Sequence, residues 1–252
     1  MRHAVVVPIS LYSVAERPDL DAVGIPPRDV WPEYNLHGDV VNSHWASLWH
    51  DFPDFQLFMV DDDSGAVLAE LQTAPLFWDG TVDGLSSGVD ESLVAAIEGL
   101  QNDVPVNTLC AFAAKITPSA QGQGLAIEGV KAMRALAQQH GLGALIAPVR
   151  PSLKHRYPVT PIAEYVQWIR ADGLAFDPWI RVHQRLGAQI VRAIPNSMRI
   201  SGTVAEWEAW TDMQFPADGD FPFPDGLAPV TIDHAADLGV YYEPNVWIVH
   251  QL

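Results

Sequence analysis

The chain has 252 residues, enough for one large domain, and its 48% hydrophobic and 18% charged residues exclude a disordered protein. Its 14 basic and 31 acidic residues leave a net charge of −17, which repels phosphate backbones and anionic membranes, so neither nucleic acid nor membrane is an expected partner. The single cysteine, Cys110, has no partner for an intrachain disulfide and sits in an apolar run as a buried thiol.

Residues 4–9 are rich in valine and predict a first strand. This apolar run is short and broken by Pro8, so it is not a signal peptide, and no stretch is long enough to span a membrane; the expected location is cytoplasmic. A Pro- and Asp-rich stretch runs to about Pro32. Asp39 then caps a predicted helix to about Trp49, with Val41, Trp45 and Leu48 on one face. Residues 55–61 and 66–76 predict two strands joined by a hairpin turn at Asp62-Asp63-Ser64-Gly65. A loop over 79–91, a short helix over 92–100 and a strand over 106–116 follow.

After a polar turn, residues 125–140 give the clearest helix, with Ala126, Val130, Met133 and Ala137 as its apolar stripe and Gly141 as its stop. Residues 144–149 predict a buried strand. Residues 150–176, dense in Arg, Tyr and Pro, include a helix near 162–170. Asp177-Pro178 is a strong helix start, and that helix ends at Gly187. Strands are expected over 188–194 and 197–202, and Thr203 caps a Trp-rich helix to Trp210. The tail, 211–252, is loop-rich with a strand near 247–249.

The segment Ile116-Thr-Pro-Ser-Ala-Gln-Gly-Gln-Gly-Leu-Ala126 follows a strand and opens a helix. The first N–H groups of a helix lack internal partners and the helix dipole adds positive potential there, so two glycines at that point make room for an anion such as a pyrophosphate. A dinucleotide fingerprint would need Gly or Ala where Ile127 stands, and a Walker A loop would need Gly-Lys-Ser/Thr. An ordinary strand-turn-helix connection remains the alternative.

This segment resembles the acyl-CoA loop of the GNAT (GCN5-related N-acetyltransferase) superfamily. The family's pattern, Gln/Arg-x-x-Gly-x-Gly/Ala after a strand and a proline, is filled by Gln121, Gly124 and Ala126, with Pro118 ahead. The order of elements over about residues 1–202 resembles the family as well. The resemblance implies an α/β (α+β) fold with a mixed, mostly antiparallel central sheet flanked by helices. Residues 1–202 would form the acyl-CoA-binding domain, with an insertion near 150–176, and residues 203–252 a C-terminal extension packed on it. It also implies that backbone groups of Ala114 and Ile116 pair with the pantetheine arm. The N–H groups of Gln121, Gly122, Gln123, Gly124, Leu125 and Ala126 would hold the pyrophosphate of acetyl-CoA or another acyl-CoA.

GNAT enzymes often carry a tyrosine four residues before a Gly-Phe pair, where it protonates the departing CoA thiolate. Here His183 fills the tyrosine position and Ala188 the phenylalanine position. A histidine can donate a proton near neutral pH; the alternative is a helix residue packed near Trp179. The strand over 108–116 has no carboxylate, so Glu70, on the same strand face as Gln72, is the candidate base, against a solvent-facing strand edge. His37, before a helix, is a weaker hint of an acceptor site. Tyr157, Glu164, Tyr165 and Trp168 suit either an acceptor lid or an insertion packed on its own aromatic residues.

Gly84-Leu-Ser-Ser-Gly88 matches Gly-x-Ser-x-Gly, but its acidic flanks predict a loop and no nucleophile elbow. The nine histidines form no His-x-x-x-His pair and there is no Cys cluster, so no metal is expected. The expected function is transfer of an acetyl or other acyl group from acyl-CoA to a small-molecule amine, by a monomer or homodimer. Two alternatives are a non-catalytic acyl-CoA-binding module and acyl transfer from a carrier protein. The net charge of −17 weighs against docking an acidic carrier.

Overall fold

The computed structural model describes residues 8–252, so most of the strand expected over 4–9 lies outside the described residues. The first strand among the described residues is β1 (Ile9–Ser13). It pairs antiparallel with β2 (Gln56–Asp61), which turns into β3 (Val67–Leu76). The turn forms where expected because the Asp61 carboxylate accepts the N–H groups of Asp63 (2.9 Å) and Ser64 (3.1 Å), and Gly65 takes φ +71°.

Beyond these three come β4 (Thr108–Ile116), β5 (Ala144–Val149), β6 (Gln189–Gly202), β7 (Gly219–Phe221), β8 (Val230–Asp233) and β9 (Leu238–Gln251). The nine strands among the described residues form one sheet in the order β1-β2-β3-β4-β5-β9-β8-β7, with β6 also paired to β9. β4 (Thr108–Ile116) and β5 (Ala144–Val149) are parallel, and the other pairs are antiparallel. The sheet is thus mixed and mostly antiparallel. Helices α1 (Val41–Asp51) and α2 (Val89–Gln101) accompany a core of Leu48, Leu93, Ala96, Cys110, Ile146 and Trp247. Helices α3 (Leu125–Gln139) and α5 (Pro178–Arg185) accompany a second core of Leu71, Leu109, Val130, Met133, Leu145, Ile180 and Ile248.

Several local expectations shift for non-local reasons. Asp39 does not cap α1; its carboxylate accepts the Ser201 N–H at 2.8 Å and pairs with Arg199, tying the start of α1 to β6 (Gln189–Gly202). α2 begins earlier than its sequence pattern suggests because the Ser197 hydroxyl accepts the Val89 N–H (3.0 Å) from across the chain. The two strands expected over 188–202 are one, β6, interrupted by an irregularity between Ile194 and Met198. The helix expected near 162–170 shrinks to α4 (Ile162–Tyr165).

Helix α6 (Val204–Thr211) begins with the expected Thr203 cap, completed as a capping box by Glu206. The segment beyond it supplies β7 (Gly219–Phe221), β8 (Val230–Asp233) and β9 (Leu238–Gln251). β9 lies between β5 and β6: Val246 to Gln251 pair with β5 on one side, and Gly239 to Val249 with β6 on the other. The residues expected as an extension therefore provide a strand inside the sheet, buried continuously over 243–250. No helix among the described residues is long and apolar enough to cross a membrane.

Candidate active site

β4 and β5 are paired only at Thr108↔Ala144, Leu109↔Leu145 and Cys110↔Ile146, and β4 then runs on to Ile116 without β5 beside it. The Thr117 N–H donates to Leu68 O at 3.0 Å, so antiparallel alternation turns the backbone groups of Lys115 and Ala113 toward β3. Those of Ala114 and Ile116 face the side that β5 has left. The Ile116 carbonyl accepts the Gln121 side-chain amide (3.3 Å), which leaves its N–H and both groups of Ala114 open among the described residues. These are the two residues whose backbone the sequence resemblance singles out.

The loop ahead of α3 has Gly122 at φ +77° and Gly124 at φ +91°, both in the left-handed region that favours glycine. A Cβ at either would meet no heavy atom within 4 Å, so the space over the loop is open. Of its six N–H groups, that of Gln121 donates to Pro118 O (3.4 Å). Those of residues 122–126 have no backbone partner among the described residues. The Gln123 side chain donates to Ser119 O at 3.0 Å and holds the turn in shape. Close approach of α3 to the sheet fixes its position, since a Cβ on Gly129 would stand 3.1 Å from Leu71. A ring of unpaired N–H groups at a helix N-terminus fits a pyrophosphate.

A cavity of about 500 Å³ opens where β4 and β5 part. Ala114, Ala126, Met133, Trp179 and His183 line it from the α3 and α5 face; Trp31, Asn35, Trp45 and Glu243 line it from the α1 face. It therefore passes through the gap in the sheet.

His183 is 1% exposed and lines this cavity. Its Nδ1 lies 2.9 Å from Nε2 of His250, its ring packs on Trp179 at 4.5 Å between centroids, and its Nε2 has no partner among the described residues. Burial, reinforced by His250, pushes its pKa down to about 3, and burial also pushes His250 down to about 4. Both rings are neutral at pH 7, so His183 holds no ready imidazolium there, unlike the donor titrating near neutral pH that the sequence suggested. If His250 Nε2 donates to His183 Nδ1, the remaining proton sits on His183 Nε2.

Glu70 is 1% exposed, so it is not a solvent-facing strand edge. It lies outside the cavity lining, in an ion pair with Lys115, and its carboxylate also accepts Ile25 N–H and Gln72 Nε2 (3.0 Å). Register explains the difference: Glu70 pairs with Lys115 across β3 and β4, and such a pairing is invisible in either strand alone. His37 stacks on Trp210 (4.2 Å) and contacts Glu33, also off the cavity lining, although Asn35 and Leu36 beside it belong to it. Tyr157, Tyr165, Trp168 and Phe176 pack on one another at 4.8–6.2 Å, and Tyr165 donates to Asp177 at 2.9 Å. Segment 150–176 thus packs on its own aromatic residues. Only Arg150 and Ser152 of it reach the cavity.

Sequence reasoning missed the polar end of the cavity. Glu243 Oε2 accepts Arg150 Nε (3.1 Å) and Asn35 Nδ2 (2.9 Å). Arg150 also donates to Tyr34 Oη (2.9 Å) and Asp225 O (3.1 Å). Burial opposes the Arg150 charge, but Glu243 and the nearby tyrosines outweigh it, so this guanidinium stays charged. Asn245 donates from Nδ2 to Pro148 O at 2.8 Å. Only the order Glu-x-Asn in a buried strand was available as a signal. No group of three or more His, Cys, Asp or Glu among the described residues is placed to hold a metal ion.

A parallel pair that splays beside a loop of open N–H groups at a helix start is the acyl-CoA-binding arrangement of the GNAT fold. Over 96% of its length the chain is 29% identical to the arginine N-acetyltransferase avaD of Aspergillus versicolor, covering 94% of that protein. The loading GNATL domain of CurA from Lyngbya majuscula superposes with a TM-score of 0.59 at 18% identity, over 97% of this chain and 98% of that one. The GphF GNAT-like decarboxylase, solved with isobutyryl-CoA, superposes with a TM-score of 0.58 at 14% identity, over 97% and 98%. No family model matches the chain. The chain thus has the GNAT fold and, over nearly its full length, is similar to an N-acetyltransferase.

Proposed function

We propose that the protein transfers an acetyl group from acetyl-CoA to the nitrogen of a small amine, with arginine as the first acceptor to try. The observation that carries this reading is the continuity of the cavity. It joins the open edge of β4, beside the glycine loop, to a second lobe lined by Trp31, Trp45 and Glu243. A donor on one face of the sheet and an acceptor on the other can then meet in the gap. The full-length likeness to an arginine N-acetyltransferase supports the choice of acceptor.

Bound acetyl-CoA would supply the thioester; the remaining roles fall to this chain. The N–H groups of residues 122–126 and the α3 dipole hold the pyrophosphate. The backbone of Ala114 aligns the pantetheine arm as a strand would, and the Ile116 N–H adds one more donor. His183 presents a neutral N–H to the departing sulfur, provided that His250 fixes its tautomer. Apolar Met133, Trp179 and Phe112 exclude water from the gap.

The test is thiol release from acetyl-CoA with and without arginine, with acetylated arginine identified by mass. Acceptor-dependent release with matching product supports the reading. Binding of acetyl-CoA with no release in the presence of arginine, lysine or phenethylamine would leave a binding module instead.

A further inference from the structure

Two residues of β9 that line the cavity, Glu243 and Asn245, each carry an acceptor oxygen with no donor among the described residues. Glu243 is 3% exposed, and both of its close side-chain donors, Arg150 and Asn35, go to Oε2. Oε1 has no hydrogen-bond partner among the described residues. Asn245 is also 3% exposed; its Nδ2 is used by Pro148 O, and its Oδ1 is buried with no partner. Both residues line the cavity. They stand two apart on β9, so their side chains leave the same face of the strand. A buried acceptor left without a donor costs about 1–3 kcal/mol, so Asn245 Oδ1 is unexpected in a pocket unless a ligand supplies the donor, and the free carboxylate oxygen of Glu243 beside it can accept a second one.

The same lobe has aromatic walls, Trp31 and Trp45, with ring centroids 6.1 Å apart and nearly perpendicular, together with Phe112. Aromatic faces and an acidic oxygen favour a cation that carries N–H donors, and the net charge of −17 draws such ligands in. Arg150 offsets one unit of the Glu243 charge, so the lobe is not a bare anionic hole. Its remaining requirement is for N–H groups, which an ammonium or guanidinium meets and a carboxylate does not.

We propose that Glu243 Oε1 and Asn245 Oδ1 form the subsite that receives the acceptor's cationic nitrogen, an amine or a guanidinium, and select for it. This deepens the acyltransferase reading and rests on it. Glu243 and Asn245 position the acceptor; the donor site on the α3 face does not involve them.

The test uses Glu243→Gln and Asn245→Ala in the full chain. Thermal melts first establish that each variant is folded, since Glu243→Gln weakens the buried contact to Arg150 while Asn245→Ala leaves that contact intact. The measurements are KM for arginine, kcat, and the acetyl-CoA Kd by calorimetry. The proposal expects KM for arginine to rise at least tenfold in each variant, with the acetyl-CoA Kd unchanged within twofold. An unchanged KM in a folded Asn245→Ala or Glu243→Gln protein overturns the subsite while leaving the acyltransferase reading in place. A wild-type protein that binds acetyl-CoA but releases no thiol with arginine, lysine or phenethylamine overturns both.

Discussion

Substituting Gly124 with valine separates the phosphate role of the loop from its folding role. Gly124 sits at φ +91°, where a residue with a Cβ costs roughly 1–2 kcal/mol and a β-branched one more. A Cβ there meets no heavy atom within 4 Å, so no steric clash adds to that backbone cost. The fold therefore survives, with a Tm lowered by several degrees for a chain of this size. The same open space is where a pyrophosphate must lie to reach the N–H groups of residues 122–126. Losing one or two charge-assisted hydrogen bonds, at roughly 1.5–3 kcal/mol each, weakens acetyl-CoA binding by about tenfold or more. Calorimetry on the variant, with circular dichroism as the folding control, reads both quantities. Wild-type affinity in a folded Gly124→Val protein would refute the loop as the phosphate site.

Four further outcomes follow from the structure. His183→Phe lowers turnover by roughly 100-fold while the acetyl-CoA Kd stays within twofold, and because burial holds this ring near pKa 3, the wild-type kcat profile shows no inflection from it between pH 6 and 7. Glu70→Ala strands the buried Lys115 and costs about 3–5 kcal/mol, read as a large fall in Tm, with kcat/KM of the folded fraction little changed. Asp90 is pushed up to about 6, first by burial and then by Asp39 against the Arg199 N–H it accepts at 2.8 Å. Its folded pKa lies above the ordinary 3.8, so ionising it destabilises the fold as pH rises through that window; after screening in a half-buried site, Asp90→Asn stabilises by about 1 kcal/mol at pH 7 and not at all below pH 4. Cys110, fully buried and with its thiol pushed up by burial, resists a thiol reagent in the native state and reacts after unfolding.

What the sequence disclosed was local. β5 runs over residues 144–149 as expected, because a six-residue apolar run between glycine and arginine leaves little choice. α5 starts at Asp177-Pro178 because the Asp177 carboxylate accepts the N–H groups of Trp179 and Ile180, contacts two and three residues away. The loop at 121–126 was equally legible, since its glycines answer to backbone angles that depend on nothing distant. What stayed hidden depends on pairing. β9 is buried over eight consecutive residues, so it lacks the alternation that marks a half-exposed strand, and its place between β5 and β6 is set by partners about 40 to 100 positions earlier. Glu243 meets Arg150 and Asn35 from 93 and 208 positions away. The alternation in β3 correctly put Glu70 and Gln72 on one face but could not show that Lys115 would occupy it from β4.

The most direct test of the account is calorimetric titration of the purified wild-type protein with acetyl-CoA, with NAD and ATP as controls. The account predicts saturable binding of one acetyl-CoA per chain and none of comparable affinity for the controls. Absence of acetyl-CoA binding, or equal affinity for ATP, would contradict it.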